Sequence, residues 1–123
     1  MDTATRLERM YLFNVTVLIA HEIDSAYWHE WQLFHLPGGI QLFLFLHLLL
    51  LSLVLYGYRE VCRRGRRAKL ASLGLAGVGI FAALLHGAFM LAGDTAFALP
   101  MSQFLLLATF VVSLYQLSVS VRV

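Results

Sequence analysis

The chain has few charged residues and one cysteine, and both shortages limit what it can be. Charged side chains make up 13% of the 123 residues and hydrophobic ones 60%, whereas a soluble domain has about 25% charged residues. A soluble domain of this composition would expose large apolar patches and tend to aggregate. Because Cys62 is the single cysteine, an intramolecular disulfide framework is excluded. The composition therefore predicts a protein that is embedded in the lipid bilayer.

Lysine and arginine are missing from two long stretches of the chain. Neither occurs from Met10 to Tyr58 or from Leu70 to Val121, so the basic residues are confined to the N-terminal segment, to Arg59–Lys69 and to Arg122. A nucleic-acid-binding surface is excluded, because it needs basic residues spread over a folded face. The clustering is instead typical of the positive-inside bias of membrane proteins.

Four apolar segments are predicted to cross the membrane. Since a transmembrane helix needs about 20 mostly apolar residues, the spans are predicted at about residues 10–27, 40–58, 70–92 and 101–121. Turn signals at Pro37, Gly93 and Pro100 separate them. No cleavage site of small residues follows the first span, so we expect it to be retained. The predicted fold is an all-α integral membrane protein, a single four-transmembrane-helix bundle over residues 1–123.

The basic residues also predict the orientation. The loop between the second and third spans carries six Lys or Arg and one acid, Glu60, so we expect it in the cytoplasm. Four crossings then place both termini in the cytoplasm, and we predict the cytoplasmic (inner) membrane of a bacterium as the location. The mixed aromatic and ionisable run Trp28–His35 is predicted to form a short outward-facing interfacial segment, a helix or loop folded over the bundle.

Polar residues at membrane depth are the candidate functional residues, because each is costly without a partner. In the first helix Glu22 lies on one face, and a neighbouring face carries Asn14, His21, Asp24, Ser25 and Trp28 at helical spacing. His47 and His86 are each predicted to lie roughly 10 Å from the outer interface. We therefore predict one outward-facing chamber, while the cytoplasmic half stays mostly apolar. The candidates are Glu22 and Asp24 as catalytic acids, His21, His47 and His86 as metal ligands, and Asn14 and Trp28 as contacts of a bound molecule.

The two acids in this set need a partner that balances their negative charge. Glu22 and Asp24 have no Lys or Arg on their predicted side of the membrane. Their charge must be balanced by an imidazolium, by a bound cation or by protonation. A single histidine is equally well explained by a hydrogen bond to a serine or a backbone carbonyl. The fourth helix carries a weakly polar stripe that predicts helix–helix contacts: Ser102, Leu106, Thr109, Ser113, Gln116 and Ser120.

Several functions fit this pattern and stay open at the level of sequence. Three imidazoles with one or two carboxylates suit a divalent metal, zinc or iron, although no ordered His-Glu-x-x-His motif is present. His47 and His86 could alternatively be the two axial ligands of a haem b. A metal-free pocket could bind a lipid-soluble small molecule and perform acid–base catalysis on it. In general architecture, four helices with buried acids, this last arrangement is similar to the sterol-isomerase and sigma-2-receptor family. The remaining alternative is an accessory subunit of a larger membrane complex, or a homo-oligomer.

Overall fold

The computed structural model describes all 123 residues, and every secondary-structure element in it is a helix. In chain order these are α1 (Thr3–Tyr27), α2 (Glu30–Leu33), α3 (Gly39–Cys62), α4 (Ala68–Leu91) and α5 (Pro100–Ser120). Three helices, α3, α4 and α5, are long and apolar enough to cross a membrane. Three of the four predicted spans are thus found, in keeping with an integral membrane protein. α1 has sufficient length, 25 residues, but is not among the three.

The predicted and observed boundaries differ most at the start of α1, which begins at Thr3 rather than near residue 10. The cause is a helix cap, since Asp2 accepts a hydrogen bond of 2.7 Å from the backbone N–H of Thr5. A side-chain oxygen in this position satisfies an N–H group that has no partner within the helix. The same hydrogen bond, with the nearby guanidinium of Arg64, lowers the pKa of Asp2 below its usual value.

Two contacts show which parts of the chain share one end of the bundle. Arg64, in the connection between α3 and α4, lies 3.1 Å from the carboxylate of Asp2. Lys69 donates a hydrogen bond of 3.0 Å to the backbone oxygen of Val123. Both chain termini therefore lie beside the basic α3–α4 connection. We call this end of the bundle the basic end, and the opposite end, which holds α2 and the α4–α5 connection, the distal end.

α1 is the central helix, because it packs against all four others. Six of its seven buried residues follow one another in alternating spacings of four and three: Leu7, Tyr11, Asn14, Leu18, His21 and Ser25. This spacing keeps one face of a helix against its partners over its whole length. Since that face meets protein, it tolerates asparagine, histidine and serine. This interior position explains why α1 is less apolar than α3, α4 and α5.

A network of buried polar side chains joins α1, α4 and α5 near the basic end. Asn14 donates to Gln116 Oε1 at 2.7 Å and to Ser113 Oγ at 3.1 Å. Gln116 in turn donates to Ser72 Oγ at 2.9 Å, and Ser72 lies 2.6 Å from the hydroxyl of Ser120. All five side chains are fully buried. The polar stripe predicted on the fourth span, which is α5, is confirmed as inward-facing, and it lies beside the apolar core cluster that fills much of this end.

The close approach of α4 and α5 depends on a glycine. A Cβ atom at Gly79 would overlap the hydroxyl group of Ser113. Small residues allow helices in membranes to come close enough for side-chain hydrogen bonds between them. Gly79 therefore positions Ser113 for its contact with Asn14.

Candidate functional site

The short helix α2 folds back and carries an acid into the bundle. The residues on either side of it, His29 and His35, both adopt left-handed backbone conformations, with φ of 56° and 53°. These two turns reverse the chain after α1 and direct Glu30 inward, where it is 8% exposed. Left-handed conformations cost about 1–2 kcal/mol for residues other than glycine, so the surrounding packing must hold this segment in place.

Five ionisable side chains meet at the distal end, and we call them the distal cluster: His21, Glu22, Glu30, His47 and His86. They come from four different helices, two from α1 and one each from α2, α3 and α4. His21 and His86 are fully buried, while Glu22 and His47 are 13% and 18% exposed. Such a concentration of ionisable groups inside a bundle requires that each charge has a partner.

Glu22 and His47 form the first pair of the distal cluster. The two side chains are hydrogen-bonded through His47 Nε2 and Glu22 Oε2. On the other side of the ring, His47 Nδ1 lies 2.7 Å from the backbone carbonyl oxygen of Phe43. A carbonyl oxygen can only accept, so Nδ1 carries a hydrogen. A second proton must then lie between Nε2 and the carboxylate, whichever of the two groups holds it. The pair is neutral overall and contains one transferable proton.

Glu30 on α2 and His86 on α4 form the second pair, which is an ion-pair contact without a hydrogen bond. His86 Nδ1 lies 2.9 Å from the carbonyl oxygen of Ala82, and His86 Nε2 lies 3.4 Å from Glu30 Oε1. The carbonyl oxygen again requires a hydrogen on Nδ1, whereas His86 Nε2 faces the carboxylate at ion-pair distance and has no hydrogen bond within the chain. Burial by itself would raise the pKa of Glu30. The nearby His86 imidazole outweighs burial and lowers the pKa of Glu30 below its usual value.

His21 lies between the two pairs. Its Nε2 atom is 4.0 Å from Glu22 Oε1, and its ring meets the ring of His86 edge to face, with centroids 4.8 Å apart. Both ring nitrogens of His21 are buried and have no hydrogen-bond partner within the chain. Leaving a polar group in this state costs about 1–3 kcal/mol. The order of contacts is therefore His47, Glu22, His21, His86 and Glu30, with unused hydrogen-bonding capacity at its centre.

Aromatic side chains close the distal cluster toward the end of the bundle. Phe97, from the connection between α4 and α5, is 2% exposed, and its ring centroid lies 4.5 Å from that of His86. Phe34 approaches the same imidazole at 6.2 Å. These rings cover the His86–Glu30 pair and leave the Glu22–His47 pair as the more accessible one.

A crevice between α1 and α3 gives access to the Glu22–His47 pair. It has a volume of about 180 Å³, and both side chains lie on its wall. The other lining residues are all hydrophobic: Ile19, Ile23, Ala26, Phe43, Leu44 and Leu51. Ile23 and Leu44 are 68% and 57% exposed, so the crevice opens on the outer surface of the helices. Since an apolar cavity of about 150 Å³ binds benzene, one ring-sized group fits here.

Some of the residues predicted to form the site lie elsewhere. Asn14 belongs to the buried network near the basic end and bonds to α5. Asp24 Oδ1 accepts a hydrogen bond of 3.1 Å from Trp28 Nε1, and this pair has no hydrogen bond or ion pair with the distal cluster. The structure thus brings His21, Glu22, His47 and His86 together, places Asn14 in the other network, and joins Asp24 to Trp28 by a hydrogen bond.

Sequence reasoning missed Glu30 as a member of the site. It lies within the run Trp28–His35, for which the sequence predicts an outward-facing interfacial segment, although the argument used for Glu22 applies to it equally. Glu30 has no Lys or Arg within the whole stretch Met10–Tyr58, and it is flanked by tryptophans. A carboxylate in these surroundings needs a histidine or a proton, and this signal could have identified it.

The arrangement gives no support to a shared metal or haem site. No group of three or more His, Cys, Asp or Glu side chains is arranged to hold a metal ion. The predicted metal ligands His21, His47 and His86 do not converge on a common point. The Nε2 atoms of His47 and His86, which would ligate a haem iron, are both directed at carboxylates instead.

The fold and the distal cluster define a class, a small helical protein of membrane-protein character with buried carboxylate–imidazole pairs. Residues 7–123 match a family described as "Family of unknown function (DUF6713)", and the chain belongs to this family. No curated protein and no solved structure matches the chain.

Proposed function

We propose that this protein binds a lipid-soluble small molecule in the crevice between α1 and α3 and exchanges a proton with it through the Glu22–His47 pair. The proposal rests on one observation: an apolar crevice that opens on the outer surface of the helices has one ionisable pair on its wall. Ligand sites in proteins typically combine an apolar lining with a small number of placed polar groups. Three larger apolar cavities elsewhere in the bundle contain no carboxylate or histidine.

The proposal includes four membrane crossings, with α1 as the fourth span. α1 has 25 residues, which at 1.5 Å per residue correspond to roughly 37 Å, more than the apolar thickness of a bilayer. Asn14, His21 and Ser25 face the other helices, while Leu12, Phe13 and Ile23 are exposed. The basic end then lies in the cytoplasm of a bacterial cell together with both termini, in agreement with the positive-inside bias.

The chemistry follows from the proton in the pair. A bound molecule with an exchangeable hydrogen meets either a carboxylate that can accept it or an imidazolium that can donate one. The hydrogen bond from His47 Nδ1 to the carbonyl oxygen of Phe43 fixes the imidazole ring. Nε2 therefore faces Glu22 before and after a proton is exchanged. His21 Nε2 lies 4.0 Å from Glu22 Oε1, so His21 is a second group that can receive the proton.

The test uses two probes of equal size, a long-chain alkylphenol and the corresponding alkylbenzene, with the purified protein in detergent. Only the phenol has a hydrogen that Glu22 can accept. We expect the phenol to raise the unfolding temperature more than the alkylbenzene. Glu22→Gln should reduce this difference, because an amide is a poorer acceptor than a carboxylate.

A matched pair of tryptophan substitutions on α3 tests the location. Leu44 lines the crevice, whereas Leu48 does not and is 65% exposed. Leu44→Trp should fill the crevice and abolish the phenol effect, and Leu48→Trp should leave it unchanged. If both variants respond to the phenol as the native protein does, the probe binds elsewhere and the proposed site is wrong.

A further inference from the structure

A second cavity, unrelated to the distal cluster, lies at the basic end. Its volume is about 440 Å³, and its lining includes four basic side chains: Arg64, Arg66, Lys69 and Arg122. No acidic residue is among the lining residues. The four come from the α3–α4 connection, the start of α4 and the segment after α5. Four of the nine Lys and Arg residues of the chain thus surround one cavity.

The charges around this cavity are only partly compensated. Arg64 is paired with Asp2 at 3.1 Å, and Lys69 donates to the backbone oxygen of Val123. Arg66 and Arg122 have no side-chain hydrogen bond or ion pair within the chain. The nearby Glu60 packs against Gly65 and does not line the cavity. Two guanidinium groups are therefore free to hold an anion.

The start of α4 adds further hydrogen-bond donors at the same place. α4 begins without a side-chain cap, and the backbone N–H groups of Lys69 and Leu70 have no acceptor within the chain. The first N–H groups of a helix and its dipole favour a negative charge. The helix start therefore reinforces the attraction of the arginines for an anion.

The floor of the cavity is apolar, which narrows the choice of anion. Leu7 and Val61 line it and are 3% and 2% exposed. A basic rim over an apolar floor, at the ends of helices long enough to span a bilayer, suits a phosphate group that carries acyl chains. Basic pockets between transmembrane helices on the cytoplasmic side bind anionic head groups in this way.

We propose that the cavity at the basic end binds the phosphate group of an anionic phospholipid, held by Arg66, Arg122 and the start of α4. Lys69 and Arg64 lie at the rim and exchange their contacts with Val123 and Asp2 for the lipid. The ligand chemistry is that of a phosphate ester, and a free phosphate ion is the other source of the same chemistry. The size of the cavity and its apolar floor favour the lipid.

The experiment compares unfolding temperatures of the full chain in detergent. The additives are phosphatidylglycerol, phosphatidylcholine or inorganic phosphate, at matched concentrations. We expect phosphatidylglycerol to raise the unfolding temperature in a saturable manner, because a ligand that binds only the folded state stabilises it. Phosphatidylcholine should have little effect. Equal stabilisation by inorganic phosphate would overturn the lipid assignment.

A matched pair of double variants separates a site from general attraction to a charged surface. Arg66→Gln with Arg122→Gln removes two lining residues, whereas Arg63→Gln with Arg67→Gln removes the same charge from residues outside the lining. The first variant should bind phosphatidylglycerol at least about tenfold more weakly than the second, since each basic contact near a membrane contributes about 1 kcal/mol. Equal weakening of both would overturn the proposal. The single variants Arg66→Gln and Arg122→Gln provide the same comparison if the double variant does not fold.

Discussion

The Glu22–His47 pair should reveal itself by an energy coupling between its two members. His47→Leu removes the hydrogen-bond partner of Glu22 and leaves that acid in an apolar crevice, with His21 at 4.0 Å as its nearest ionisable neighbour. Breaking a buried charged pair by removal of one partner costs about 3–5 kcal/mol. Because Glu22 and His47 are 13% and 18% exposed, the lower part of that range applies. We expect a loss of about 3 kcal/mol in the free energy of unfolding.

The double variant Glu22→Leu with His47→Leu should be more stable than His47→Leu alone. It contains no unpaired charge, and replacing a buried ion pair by apolar residues of similar size is often neutral. We expect it within about 1 kcal/mol of the native protein, which gives a coupling energy of roughly 2 kcal/mol or more. The conservative variant Glu22→Gln should also remain near the native stability, because its amide can donate to a neutral imidazole.

The measurement is equilibrium unfolding in mixed micelles for the native protein, the single variants and the double variant. The coupling energy is the difference between the effect of the double variant and the sum of the single effects. A double variant whose loss equals that sum would refute the reasoning, since the two side chains would then act independently. Such a result would also contradict the assignment of one shared proton to the Glu22–His47 pair.

Two further predictions concern the buried network and Glu30. Gln116→Leu removes three hydrogen bonds, one with Asn14 and two with Ser72. Since each such bond contributes about 0.6 kcal/mol in a membrane protein, the variant should lose roughly 2 kcal/mol in the free energy of unfolding. Gln103→Leu, on the exposed surface of the same helix, is the control, and an equal loss in both variants would contradict the importance of the network. Because the pKa of Glu30 is lowered from 4.5 in the folded state, its contribution to stability is complete above that value and is lost as the pH falls through the folded pKa. The stability difference between the native protein and Glu30→Gln should therefore shrink as the pH falls below 4.5; a difference that stays constant as the pH falls would show that Glu30 has no favourable partner.

The helices themselves were predictable from the sequence because their signals are local. Apolar length determines where a helix can span a bilayer, and Pro37, Gly93 and Pro100 interrupt the chain between the helices. The stripe of small polar residues on α5 follows from helical periodicity alone, and it faces inward as expected. The start of α1 was misplaced because a polar first turn with an Asp2 cap adds no apolar signal.

Only the tertiary structure determined which polar side chains on different helices contact each other. Spacing along a helix shows which side chains share a face, so His21 and Asn14 were correctly placed on one stripe of α1. It does not show which neighbouring helix that stripe meets at each level. Asn14 meets Gln116 on α5, whereas His21 meets His86 on α4.

The role of Glu30 depends on chain reversal as well as on packing. Two left-handed residues around α2 turn an apparent surface loop into the bundle, and left-handed histidines have no reliable sequence signature. Composition and periodicity therefore determined that this is a helical membrane-type protein with costly polar groups at depth. Which of those groups share a proton was determined by the helix neighbours, because a hydrogen bond requires atoms from distant parts of the chain to meet within about 3 Å.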